Sequence, residues 1–172
     1  MMQGVSGPRP LPSYDEVLAL PAAPTRVVPA EFGDGNGHLN VRHYLGLLDD
    51  AEWVLFDEFG AGTEASSAGT GGMFALEQYL TYRHEVLVGD EVAVHLRLLA
   101  RSETLVHLVS YLVNHTRREV AANMEALETY VAYETRRASP FSRAAQQALD
   151  DWIARQASLA DPSLSGAISL EA

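Results

Sequence analysis

A chain of 172 residues with 47% apolar side chains is long enough for one substantial core and has the composition of a single globular domain. Its formal net charge of −11, from 23 acidic and 12 basic residues, repels phosphate backbones and argues against nucleic-acid binding. The absence of Cys removes disulfides, thiolate metal sites and a Cys nucleophile, and no apolar run is long enough for a transmembrane helix.

The start, Met1-Met2-Gln3-Gly4, has neither the basic nor the apolar region of a signal peptide, which predicts a cytoplasmic protein. Residues 1–24 hold Pro8, Pro10, Pro12, Pro21 and Pro24 and read as an extended arm. One short helical turn is predicted over residues 13–20, where Ser13 can cap and Glu16 follows three residues on. Residues 25–32 form a β-branched run and a first strand, which Pro29 assigns to an edge or a bulge. Asn40 reads as an N-cap. From there Tyr44, Leu48, Ala51, Leu55 and Phe59 recur at spacings of three and four, predicting a largely buried helix over residues 41–59 that Gly60 and Gly62 end. Residues 60–72 are rich in Gly, Ala, Ser and Thr and read as a loop.

The period then changes to two. Over residues 73–86, Phe74, Leu76, Leu80 and Tyr82 fall on one face and Glu77, Tyr79 and Arg83 on the other. Further strands follow over residues 91–102, 104–116 and 120–135, joined by polar turns. Residues 142–157 carry Ala145, Leu149, Trp152 and Ile153 on a helical stripe, and the tail from Asp161 reads as loose. The division is an arm over residues 1–24, one domain over 25–157 and a tail over 158–172. One strand, one long helix and four strands with short turns give an α+β fold, an antiparallel sheet with a helix against one face. Long strands with open edges predict sheet extension between copies, hence a homodimer or a homotetramer built from dimers.

The stretch Asp34-Gly35-Asn36-Gly37-His38-Leu39-Asn40 sits at a strand-to-helix junction, where unpaired helix N–H groups and a positive dipole end suit a carbonyl oxygen or an anion. Asp34 in such a place is either a reacting carboxylate or an Asx-turn residue. Asn36 either holds a water or the carboxylate, or simply tolerates a left-handed turn. His38 either orients Asp34 or satisfies a loop carbonyl. The histidines His38, His43, His84, His95, His107 and His115 lack metal-ligand spacing, so no metal site is expected.

This arrangement resembles the hotdog fold. Asp34, Gly37, His38, Asn40 and Tyr44 match the Asp-x-x-Gly-(His)-x-Asn-x-x-x-Tyr signature of the 4-hydroxybenzoyl-CoA thioesterase-like family. The run from Val28 to Asn40, with Tyr82-Arg83-His84-Glu85, Ala121-Ala122-Asn123-Met124-Glu125 and Arg136-Arg137-Ala138-Ser139-Pro140-Phe141 downstream, is similar to the betainyl-CoA thioesterase group of carnitine and betaine metabolism. The Asp-x-Asn-x-His-x-Asn spacing also resembles acyl-ACP thioesterases, although those are usually two hotdog repeats in one chain.

The resemblance implies an acyl-CoA thioesterase in which Asp34 is general base or nucleophile, Asn36 and His38 assist it, and helix amides near Asn40 and Val41 activate the carbonyl. Gly37 would allow close approach, with Tyr44, Glu77 (from across a dimer) and Arg83 lining the substrate cleft. Asp49, Asp50 and Glu52 are the alternative carboxylates, since other hotdog families carry theirs within the helix. CoA would be substrate, so no cofactor is implied, and its phosphates would meet Arg side chains, with Arg83, Arg117 and Arg118 as candidates. A hotdog dehydratase would want a His–Asp pair in a longer motif that the chain lacks. A non-catalytic acyl-thioester-binding module is the remaining alternative.

Overall fold

The computed structural model describes residues 10–159, 164–168 and 170; Pro8 and the first part of the arm lie outside them. The arm leads into α1 (Tyr14–Val17), closed by a full capping box in which Ser13 and Glu16 satisfy each other's backbone amides. The predicted first strand is reduced to β1 (Arg26–Val27), because Pro29 cannot donate to a ladder and the chain turns at once into a 3-10 turn at Ala30–Phe32.

The helix expected over residues 41–59 is α-helical as α2 (Val41–Leu55), then tightens to a 3-10 turn over Phe56–Phe59. Gly60, at φ 70°, closes it in the left-handed region that a side chain would resist. The loop expected over residues 60–72 is more ordered than its composition implies. It contains α3 (Thr63–Ser67), whose Glu64 amide donates to the Asp57 carboxylate at 2.8 Å, and its last two glycines already belong to β2 (Gly71–Tyr82).

The remaining elements are β3 (Glu91–Arg101), β4 (Leu105–Asn114), β5 (Glu119–Ala132), the short β6 (Arg137–Ala138) and α4 (Arg143–Gln156), capped by Ser142. They form one antiparallel sheet of order β1-β3-β4-β5-β2, with β6 also paired to β5. A bulge at Leu76 changes the expected faces of β2. Ala75 pairs with Glu128 and Glu77 with Leu127, so one residue is extra and every side chain before it swaps sides. Phe74 therefore shares a face with Glu77 and Tyr79, not with Leu80 and Tyr82.

The sheet curls around α2, which buries Tyr44, Leu47, Leu48, Ala51 and Leu55 against one face, with Leu96, Val106, Leu108, Leu112 and Met124 in the same core. The alternate residues Val109, Tyr111 and Val113 point away from α2 and form a second cluster with Val17 and Leu20 of the arm. Leu159 and Leu164 pack onto this cluster, Ile168 is buried, and the Ser165 amide donates to the buried Glu125 carboxylate. Residues 164–168 of the tail expected to be loose are therefore tied to the back of the sheet. The β3 edge is covered where β1 stops: Leu96 N donates to Pro21 O at 2.9 Å, and the Gln156 side chain bonds Leu98 N and Leu96 O at 2.8 and 3.1 Å.

Candidate functional site

The entry to α2 is built by a small looped hairpin. Asp34 N donates to His38 O at 2.8 Å, Gly37 N to Asp34 O at 3.1 Å, and Leu39 N to Val86 O at 2.7 Å, which ties the loop to the segment after β2. Gly37 has φ +82°, so its need is conformational; it does not line the cavity beside it. The Asn40 side chain accepts from Arg42 N at 3.2 Å, the N-cap expected of it. The Asn40 amide is taken by Phe32 O at 2.8 Å, so of the two amides named for carbonyl activation only that of Val41 remains, in the first turn where no helical carbonyl can reach it.

Asp34 adopts the Asx-turn geometry. Its Oδ1 accepts the amides of Asn36 at 2.8 Å and His38 at 3.1 Å. The Asn36 amide above all, with smaller help from the His38 amide and ring and from the Asn36 side chain, holds the carboxyl below its ordinary range despite partial burial. Asp34 is therefore an ionised carboxylate with one oxygen fixed by the loop amides.

A cavity of about 480 Å³ lies beside Asp34, lined by Asp34, His38, Leu39, Asn40, Val41 and Tyr44 on one side and by the run Tyr82-Arg83-His84-Glu85 on the other. Of the residues named from sequence, Asp34, His38, Asn40, Val41, Tyr44 and Arg83 come together here. Asn36 contributes its amide and not a lining side chain, and Glu77 lies elsewhere on β2, accepting from Tyr79 Oη at 3.2 Å. The His38 ring does not reach Asp34; its Nε2 pairs with Glu85 at 3.1 Å, and Arg117 approaches the same carboxylate at 3.1 Å. Tyr44 and Tyr82 meet edge to face at 5.0 Å, the first buried and the second exposed. The sequence offers Tyr82, His84 and Glu85 as a run without a role. They join the site because β2 ends beside the start of α2, a proximity no local spacing encodes.

The helix carboxylates stand apart from this cavity. Asp50 pairs with Arg26 at 3.0 Å on the surface. Asp49 is half-buried, and desolvation first, then Asp50, raises its pKa. Glu52 is fully buried in the apolar face of α2, hydrogen-bonded by Ser110 Oγ. Burial foremost, with the charge of Glu128, pushes Glu52 well above the carboxylate range, and burial pushes Glu128 up to about 7. Glu52 is the protonated member of the pair, and its Oε2 is buried with no hydrogen-bond partner among the described residues. Among the described residues no three His, Asp or Glu side chains are grouped to hold a metal, and no helix is long and apolar enough to cross a membrane.

A curled antiparallel sheet wrapped around one long helix is the hotdog fold. The chain belongs to the Thioesterase-like superfamily, whose model it matches over residues 28–152. It is 30% identical over 117 residues to the betainyl-CoA thioesterase of Pseudomonas aeruginosa PAO1, covering 68% of this chain and 73% of that one. Among solved structures, a Staphylococcus aureus protein in complex with CoA superposes with a TM-score of 0.77 at 20% identity, over 98% of this chain and 100% of that one. A Pseudomonas putida KT2440 protein solved as a candidate thioesterase gives a TM-score of 0.74 at 26% identity, covering 89% and 98%. The protein is a thioester hydrolase with the hotdog fold.

Proposed function

We propose that the protein is a cytoplasmic acyl-CoA thioesterase, releasing a free acid and CoA, with Asp34 as the reacting carboxylate. The observation that carries this is an ionised Asp34, its Oδ1 held by two loop amides, lining one cavity together with Val41 at the start of α2. The carboxylate attacks the thioester carbon, the developing oxyanion is held by the helix-start amide, and collapse expels CoA as its thiolate. Water then cleaves the resulting anhydride, its proton passing to the thiolate, and Asp34 returns as carboxylate. General-base activation of a water by the same carboxylate is the alternative step and uses the same residue.

Two further features refine the substrate. Glu85 is already paired with His38 and Arg117, and Arg83 also lines the cavity; the Asp34 carboxylate and the rings of Tyr44 and Tyr82 are the groups there that suit a small acyl group bearing a positive charge. The Pseudomonas aeruginosa relative acts, by its name, on a betainyl thioester. The reading is tested by following thiol release from a panel of acyl-CoAs that includes betainyl-CoA and its neutral isostere 3,3-dimethylbutyryl-CoA. Hydrolysis of both with betainyl-CoA preferred by about tenfold, the worth of one good cation–π contact, is the expected result. Equal rates remove the cationic preference, and no thiol release from any member removes the acyl-CoA reading.

The functional unit we propose is a homodimer joined along β2. This strand is twelve residues long, pairs on one side only, and exposes Phe74, Leu76, Tyr79 and Tyr82. Its end supplies Tyr82 to the cavity, so a partner strand laid beside it would close the open side of the site. The tetramer is disfavoured, since the arm and residues 164–168 already cover the back of the sheet.

A further inference from the structure

Both carboxylate oxygens of Glu85 are engaged. Its Oε2 meets His38 Nε2 at 3.1 Å, and its Oε1 accepts Arg117 Nη1 at 3.1 Å. Arg117 is held in turn from behind. Its Nε lies 3.4 Å from Asp90 Oδ2, and its amide donates to Asn114 Oδ1 at 3.1 Å. Asp90 Oδ2 also accepts Asn114 Nδ2 at 2.7 Å and the Leu87 amide at 2.9 Å, and both Asp90 and Asn114 are buried. A line of complementary partners therefore runs from the end of β4 to the rim of the cavity beside Asp34, and the His38 ring is its last member.

An isolated pair as exposed as His38–Glu85 contributes little, because solvent screens it and both side chains can separate. Here the Glu85 end is fixed by a guanidinium whose own acceptor is buried. The backbone keeps the two residues in register as well. Leu39 N donates to Val86 O at 2.7 Å and Val88 N to Gly37 O at 3.0 Å, so the segment after Glu85 is zipped to the loop that carries His38. Arg117, which the resemblance offers to a carrier phosphate, is instead committed to two carboxylates.

Asp34 competes for the same ring. Its carboxylate lines the same cavity, the His38 amide already bonds its Oδ1 at 3.1 Å, and the ring is near enough to help hold its carboxyl down. A ring released from Glu85 has the Asp34 carboxylate at hand, and a charge-assisted bond between them would occupy the group that must attack. We propose that Glu85 is a positioning residue: anchored through Arg117 to Asp90, it holds the His38 ring off Asp34 and keeps that carboxylate available to the thioester. The inference rests on the reading of Asp34 as the reacting carboxylate and adds the residue that keeps it so.

Kinetics on the full chain, with the fastest acyl-CoA of the panel above, test this for Glu85→Ala, His38→Ala and the double variant. Glu85→Ala should lower kcat/KM about tenfold, the worth of one charge-assisted hydrogen bond broken before attack. Adding His38→Ala should return the rate to that of His38→Ala alone, because the blocking ring is gone. Glu85→Gln keeps an acceptor for the ring and should lose less. The Asp34 carboxyl carbon, followed by NMR against pH, should titrate lower in Glu85→Ala and return in the double variant, a readout that needs no turnover. A Glu85→Ala loss of equal size with and without His38 overturns the proposal, as does no loss in a protein that melts like the wild type. So does an Asp34 titration that Glu85→Ala leaves unmoved. Full turnover in Asp34→Asn overturns the Asp34 reading and this inference together, whereas an essential Asp34 with an unrescued Glu85→Ala overturns this inference alone.

Discussion

Two backbone amides converge on one oxygen of Asp34, and that geometry decides how its reactivity depends on pH. With the Asn36 and His38 amides holding the carboxyl below its ordinary value, Asp34 is fully ionised throughout the neutral range. We expect kcat/KM for an acyl-CoA to be flat between pH 5 and 8 and to fall only below about pH 4. An acid limb centred near pH 7 would instead assign the chemistry to a carboxyl raised by burial, of which Glu128 is the one near that value. Asp34 and Asn40 were legible in the sequence because an Asx-turn and an N-cap are local events. The His38 ring was not, since its partner Glu85 lies 47 positions along the chain and only the β2–α2 proximity introduces them.

Helix α2 carries one residue that its hydrophobic period does not explain. Glu52 occupies the stripe of Leu48 and Leu55, where a charge would be costly, and it survives there by staying protonated against Glu128. Acids whose folded pKa is raised contribute stability that is complete below their unfolded value and is lost as pH rises through the folded one. The melting temperature should therefore fall between pH 5 and pH 8.5. Glu128→Gln should flatten that slope and gain on the order of 2 kcal/mol at the alkaline end, measured by melting curves across pH. A variant as pH-sensitive as the wild type would contradict the shared-proton account. The helix itself was readable from spacing alone. The Leu76 bulge and the early end of β1 were not, because each depends on pairing with a distant strand.

At the scale of the molecule, the proposed homodimer depends on the uncovered edge of β2. The arm and residues 164–168 shield the back of the sheet, leaving β2 with Phe74 and Leu76 exposed at 44% and 55%. Light scattering at micromolar concentration should report a dimer, and Leu76→Lys should shift it to monomer with loss of activity. A wild-type monomer with full turnover would contradict the edge-pairing account. The α+β order of elements was evident from the change of period after residue 72. The covering of the sheet's back was not, because the apolar residues of the arm and tail are too sparse to show periodicity.

The central claim is that Asp34 performs the chemistry, and thiol release from acyl-CoA by the wild type and by Asp34→Asn tests it most directly. Asn keeps the Asx-turn acceptor and removes the charge, so the variant should melt as the wild type does. Its kcat should fall by roughly 10²-fold or more, the scale of losing a reacting carboxylate. Unchanged turnover in a folded Asp34→Asn protein would contradict the account and move the reaction to another carboxylate.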